Sequence, residues 1–268
     1  MPAVSSIKIV IIGSGNLAWH LALFFKSKKL KPEVYNHRPS AGLTQFKQKL
    51  GLNTVSGLKN IRKDADYYFI CVSDRHIAKV SKKIKTTNKK ALVLHCSGSM
   101  PLSELSKTHQ HKAVLYPLQS FSKGTTVDWK DIPLFLQASD PTAKQQLNPL
   151  LKLFPGKKVL CDDESRLRIH LAAVLVNNFT NALYAEAQEL MGLNNTQDLF
   201  QLILPFIKNG LGKLDSMSPL EAQTGPAKRK DKVVMKKHLQ LLKKNKDLSK
   251  LYRLMSALIA KKQNKIYA

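Results

Sequence analysis

The first apolar run of the chain, Ile9-Val10-Ile11-Ile12, is unbroken, as in a strand covered on both faces. It meets Gly13-Ser14-Gly15-Asn16, and from Leu17 to Phe25 apolar residues recur at helical spacing. Strand, tight turn and helix are therefore predicted in that order. Strand-like and helix-like stretches then alternate. Residues 33–37, 53–56 and 67–72 read as strands, with helices over 41–50, stopped by Gly51, and over 77–84. Residues 91–95, 113–116, 134–137 and 158–160 complete the strands, with a helix over 142–153. The pattern changes near Asp162. Beyond it no run reads as a strand: 163–191 is predicted as one long helix and 196–209 as a second, interrupted by Pro205. Residues 226–259 supply one or two more. The expected fold class is α/β: an N-terminal doubly wound, mainly parallel Rossmann domain over 1–161 and a C-terminal all-helical domain over 162–268.

Composition adjusts this picture in three places. A chain of 268 residues with 43 % hydrophobic content suits two modest globular domains. No secretory signal is expected, because the N-terminus lacks a basic region and the first apolar run is too short. The longest apolar stretch, 171–193, carries Asn177, Asn178, Asn181, Glu186 and Glu189 and reads as a buried helix, with no membrane partner. Cys71, Cys96 and Cys161 are odd in number and far apart, without metal-ligand spacing. A reduced, cytoplasmic protein with no metal site is the expectation. The net charge is +26, from 44 Lys and Arg against 18 Asp and Glu. The densest part, 228–265, has 14 Lys and Arg against Asp231 and Asp247. It also carries a helical apolar pattern, so its lysines read as a solvated face. A nucleic-acid partner is not expected; attraction of phosphorylated or acidic small molecules is.

The glycine turn carries the chemistry. Gly13-Ser14-Gly15-Asn16-Leu17-Ala18 has the form G-x-G-x-x-A. Gly13 permits the sharp turn, Gly15 lets backbone approach a pyrophosphate, and Ala18 allows close packing of helix on strand. The phosphates would then meet the free N–H groups of Ser14, Asn16 and Leu17 at a helix N-terminus. NAD-specific sites place Asp or Glu at the end of the second strand; here Asn36 stands there, 21 residues after Gly15, followed by His37, Arg38, Pro39 and Ser40. Arg38 would attract a 2′-phosphate and Ser40 would add a hydrogen bond, so NADP is expected, with NAD the weaker alternative. Arg38 also reads simply as a surface cation. Two further strand ends, Val72-Ser73 and Ser97-Gly98, should border the ribose and nicotinamide, unless their small residues only serve the turns.

In the helical half, His170 and Asn177 are seven residues apart and would share one helix face. Thr224 is placed to cap a helix opening at Gly225-Pro226, and His238 follows Asp231 by seven. Together with Leu94-His95-Cys96-Ser97-Gly98-Ser99, Tyr116-Pro117-Leu118-Gln119-Ser120-Phe121 and Thr224-Gly225-Pro226-Ala227-Lys228-Arg229-Lys230-Asp231, these stretches resemble a known family. The chain looks like the Rossmann-like oxidoreductases whose C-terminal half is domain of unknown function 2520. The likeness covers nearly its whole length. The family usually has Gly between the Arg and the Asp; this chain has Lys230. The resemblance implies a fold like that of the 6-phosphogluconate dehydrogenase superfamily, which includes pyrroline-5-carboxylate reductase and deazaflavin-dependent NADP reductase. It also implies a helical domain that supplies substrate contacts and builds a homodimer.

The expected activity is hydride transfer between NADP(H) and a small, anionic carbonyl or imine substrate. His170 is the acid/base candidate and Asn177 the residue orienting the substrate oxygen. Arg229, Thr224 and His238 are candidate substrate contacts. Each has a plainer reading: a hydrogen-bonded core histidine for His170, an ion pair with Asp231 for Arg229, an interhelical contact for His238. His95 reads as either core or site. The paired Tyr and Lys of short-chain dehydrogenases is missing, as is a Lys–Asn pair four apart on the long helix. A non-catalytic NADP-binding sensor or scaffold therefore stands as the alternative.

Overall fold

A computed structural model describes residues 7–191 and 196–264. The chain divides into two compact units, Met1–Val176 and Asn177–Ala268.

The first unit is built on an eight-stranded sheet of order β3-β2-β1-β4-β5-β6-β7-β8. Its strands are β1 (Ile9–Ile12), β2 (Glu33–Asn36), β3 (Thr54–Ser56), β4 (Tyr67–Ile70), β5 (Leu92–His95), β6 (His111–Pro117), β7 (Leu134–Ala138) and β8 (Lys158–Leu160). β1 sits between β2 and β4, with parallel register Val10↔Glu33 and Val10↔Tyr68. The order reverses there, and a crevice opens beyond the carboxyl ends of the strands at such a switch point. The sheet is parallel except at one place: β7 runs antiparallel to β6, with Leu115 opposite Leu136.

All four residues of β1, β4 and β5 are buried because both sheet faces are covered. Side chains alternate across the sheet. Ile9, Ile11, Phe69 and Leu94 join one core, under α1 (Asn16–Ser27), α2 (Ala41–Leu50) and α4 (Pro141–Leu151). Val10, Ile12, Tyr68 and Val93 join the other, under α3 (Ile77–Ser81). The helix ends follow local chemistry. Ser40 caps α2 by accepting from the Leu43 N–H, and Gly51 closes it in the left-handed region at φ 64°. Asp140 caps α4 ahead of Pro141.

After β8 all described structure is helical. The predicted long helix is interrupted: α5 (Asp163–Ala173) gives way to a π-helical turn, Val174–Phe179, before α6 (Thr180–Leu190). Val174, Val176, Asn177, Asn178 and Phe179 are all weaker helix formers than Ala or Leu, which favours a break there. The unit boundary falls in this turn, so α5 belongs with the sheet. Its Arg166 is 1 % exposed and bonds Gln137, the Met100 carbonyl and Asp163. The sequence pattern puts the domain boundary at 161/162, where strands give way to helices, while the compact units meet at 176/177.

The second unit holds α6, α7 (Thr196–Gly212), α8 (Pro226–Arg229), α9 (Lys232–Leu241) and α10 (Lys246–Asn264). Pro205 lies within α7 and does not end it. No helix among the described residues is long and apolar enough to cross a membrane.

Candidate cofactor and active site

The turn after β1 brings Gly13 against β4. Its φ is +124°, and a Cβ on it would lie 2.3 Å from the Cys71 carbonyl oxygen. Gly15 differs: its backbone is extended and nothing lies within 4 Å of a Cβ built there. Gly13 is thus glycine for its neighbour and its dihedral, and Gly15 for the open space in front of it. α1 begins at Asn16 with neither a side-chain cap nor an acidic residue in its first turn, which leaves its leading N–H groups free for an anion.

A cleft of about 470 Å³ opens here. Gly13, Ser14 and Gly15 form one wall and Asn36 and His37 another. Cys71, Val72 and Ser73 form the wall beyond β4, with His76 and Lys79 beside them. No carboxylate is among its lining residues. Asn36 organises the β2 end: its amide donates to Ser14 Oγ at 3.0 Å and to Ser40 Oγ at 3.1 Å. Its carbonyl oxygen accepts from the His37 N–H. Ser40 is therefore committed to Asn36 and to the α2 cap. Arg38 is exposed and has no carboxylate within ion-pair distance among the described residues. Asn16 turns its side chain to the Phe121 carbonyl, and Leu17 follows it in the first turn of α1.

Ser97 and Gly98 do not line this cleft. They follow β5 and tie to its β4 wall through Ser99, whose hydroxyl donates to Asp74. Ser97 Oγ accepts from the Ser99 and Met100 N–H groups. Above Gly98 sit Tyr116, from β6, and His170, from α5, with Tyr116 Oη 3.0 Å from His170 Nδ1. The Leu94–Ser99 and Tyr116–Phe121 stretches thus meet at one point with His170.

His95 is core. It is fully buried, Nδ1 accepts from the Ser97 N–H and Nε2 donates to the Pro101 carbonyl. Burial, helped by the Arg166 charge, lowers its pKa from 6.5 to about 4. The unfolded chain therefore binds the proton more tightly. His95 contributes stability above pH 6.5 that is lost as pH falls towards 4. The protein is expected to be about 2 kcal/mol less stable at pH 5 than at pH 7 through this residue. Urea unfolding at both pH values, compared with His95→Gln, isolates it: the difference should shrink in the variant.

In the second unit the expected cap is not formed. Gly225, at φ 107°, occupies the N-cap of α8 without a side-chain bond, because Thr224 lies one residue too early. Asp231 caps α9 by accepting from the Val234 N–H. Arg229 is exposed, and no Arg229–Asp231 ion pair forms among the described residues. His238 Nδ1 lies 2.9 Å from Tyr252 Oη. Asn177 stands exposed on the π turn, so the α-helical seven-residue spacing that linked it to His170 does not carry across.

Residues 8–98 match the family model described as NADP oxidoreductase, coenzyme F420-dependent, and residues 132–259 match the domain of unknown function DUF2520. BF3122 from Bacteroides fragilis, solved as a “putative NADP oxidoreductase”, is 33 % identical over 97 % of this chain and 100 % of its own, with a TM-score of 0.89. The chain belongs to this NADP oxidoreductase family. TM1727 from Thermotoga maritima is 22 % identical over 97 % of this chain and 100 % of its own, with a TM-score of 0.70. The pyrroline carboxylate reductase of Plasmodium falciparum, solved with NADP bound, is 12 % identical over 99 % and 100 %, at 0.62. Both share the fold. No curated protein matches the sequence.

The residues of this family member fit NADP: an uncapped helix N-terminus, an open space at Gly15, a cleft without carboxylates, and Arg38 beyond β2 with no ion-pair partner among the described residues. In the DUF2520 half, Lys230 adopts the left-handed region at φ 57°, where glycine is at ease. Lys230→Gly is expected to stabilise the protein by about 0.5–1 kcal/mol. A rise in thermal midpoint checks this, and a fall would show that the lysine makes a compensating contact.

Proposed function

We propose that the protein is an NADP-dependent oxidoreductase acting on a small anionic carbonyl or imine compound. One observation carries the reading: the cleft at the α1 N-terminus, free of carboxylates, is tied through Asp74–Ser99 to the turn that packs on Tyr116 and His170. Bound NADPH supplies the hydride. Gly13 would make the turn, its own N–H held by the Tyr35 carbonyl, and Ser14, Gly15, Asn16 and Leu17 would hold the pyrophosphate on backbone N–H groups. Asn36, Arg38 and Ser40 face the ribose and its 2′-phosphate, and Val72 and Ser73 the next part of the cofactor. Ser97 and Gly98, outside the lining of this cleft and linked to it through Ser99 and Asp74, would lie beyond the reacting end. His170 is the acid/base or polarising group. Asn177, Thr224, Arg229 and His238 are the second unit's candidate substrate contacts; Arg229, exposed and with no ion-pair partner among the described residues, in a chain of net charge +26, supports an anionic substrate.

Incubation with NADPH and a panel of keto acids, imines and oxidised deazaflavin, followed by nicotinamide absorbance, tests the reading. Oxidation with one of them supports it. Tight NADPH binding without turnover over the whole panel would make the protein a cofactor-binding sensor or scaffold.

We also propose a homodimer through the helical domain. Phe206 is 79 % exposed, Leu202 71 % and Leu241 78 %, and only Ala227 and Leu242 are buried among the described hydrophobic residues of the second unit. Apolar exposure on this scale marks an association surface. Light scattering should give twice the chain mass, and Leu202→Asp with Phe206→Asp should halve it.

A further inference from the structure

We propose that Tyr116 is a positioning residue that holds His170 in the tautomer with its proton on Nε2. The site then takes a hydrogen-bond acceptor, a carbonyl oxygen or an unprotonated imine nitrogen. This rests on the reading of His170 as the substrate-facing group.

Tyr116 comes from β6 and His170 from α5, 54 residues apart in sequence. Their rings meet edge to face, with centroids 5.8 Å apart and planes at 76°. Oη and Nδ1 are 3.0 Å apart, so one proton lies between them. Two arrangements compete. If Nδ1 carried the ring proton, it would donate to Oη. Each arrangement leaves one proton without a partner among the described residues, the phenolic one in this case and the Nε2–H in the other. The strength of the shared bond decides between them: a phenol is a better donor than a neutral imidazole N–H, and an imidazole nitrogen a better acceptor than a phenol oxygen. Oη–H therefore donates to Nδ1, and the imidazole proton sits on Nε2. The phenol has that proton to give: burial raises the Tyr116 pKa above its ordinary 10.

Gly98 makes the pair possible. A Cβ there would lie 2.7 Å from Tyr116 Cζ and 2.8 Å from His170 Nδ1. Its backbone is not among the positive-φ glycines, so it is space that calls for glycine here. The strand end that bears Gly98 is the one joined through Ser99 and Asp74 to the cofactor cleft. The tautomer is thereby set by three side-chain choices on three elements: nothing at 98, a phenol at 116, an imidazole at 170.

A neutral imidazole with a fixed Nε2–H polarises an oxygen by hydrogen bonding, without giving up its proton. It offers no lone pair at Nε2, so that atom accepts no proton from an alcohol. It also finds no lone pair on a protonated iminium ion. The substrate class narrows to compounds presenting an acceptor atom; the anion that hydride delivery leaves on that atom takes its proton from solvent water, and the same Nε2–H bond serves the reverse reaction.

The test is nitrogen NMR on the full-length protein labelled with 15N-histidine, with His170 assigned through His170→Gln. In the wild type at a pH where the ring is neutral, Nδ1 should show the shift of an unprotonated nitrogen and Nε2 that of a protonated one. Tyr116→Phe keeps the ring and removes only the hydroxyl. It should replace this single signature with averaged shifts. Gly98→Ala, which crowds both rings, should do the same. A wild-type His170 protonated at Nδ1, or an unchanged signature in both variants, would overturn the proposal. Failure of the oxidoreductase reading would appear separately, as wild-type protein that oxidises NADPH with no compound of the panel.

Discussion

Gly13→Ala is expected to cost more than about 3 kcal/mol of stability, while Gly15→Ala, two residues on, leaves stability within about 1 kcal/mol. The two glycines belong to one motif but answer to different constraints. At Gly13 a methyl group would lie 2.3 Å from the Cys71 carbonyl oxygen and 2.8 Å from its carbon. Both are backbone atoms just past the end of β4, next to β1, and neither yields without parting the two strands. The φ of +124° adds strain of about 1–3 kcal/mol for any residue with a Cβ. At Gly15 the backbone is already extended and the space is open. Alanine there instead fills the place kept for the pyrophosphate, and NADPH affinity should fall by at least about tenfold. Urea unfolding of both variants, with NADPH titration of Gly15→Ala, reads the two effects apart. Equal destabilisation by both substitutions would show that the open space at Gly15 is not what the motif protects.

Arg38→Ala is expected to weaken NADPH binding by about 2 kcal/mol, roughly thirtyfold, and to leave NADH binding nearly unchanged. With no carboxylate partner among the described residues, the Arg38 guanidinium keeps its donors for an incoming phosphate, whereas Ser40 and Asn36 are already bonded to one another. Arg38→Lys should recover only part of the loss, since an ammonium lacks the two-pronged fit to phosphate. Nicotinamide fluorescence titrations of the three proteins with both cofactors check this. Loss of NADH affinity in parallel would assign Arg38 to the loop and not to the 2′-phosphate.

What could be read from sequence is what is local. The Ile9–Ile12 run, the glycine turn and the helix after it follow from hydrophobic pattern and backbone dihedrals. α2 follows from Ser40 at one end and Gly51 at the other. The mainly parallel sheet follows from alternation. The antiparallel β7 does not, because strand direction is decided by the connection from 118 to 133 and its packing. His76 and Lys79 were missed as cleft residues, since they enter from α3 and the turn before it, where no motif marks them. Periodicity also carried His170 and Asn177 as a face-sharing pair, and the π turn removes that basis. Tyr116 was legible as part of a distinctive stretch but not as the partner of His170. A contact over 54 residues, made possible by an absent side chain at Gly98, leaves no spacing to detect. The Thr224 cap failed by a single residue, at Gly225.

The Gly13–Gly15 cleft is expected to hold NADP and to discriminate it from NAD. Paired titration of the wild-type protein with NADPH and NADH, followed by nicotinamide fluorescence, tests it most directly. NADPH should bind at least about tenfold more tightly. Equal affinity for the two, or binding of neither, would contradict it.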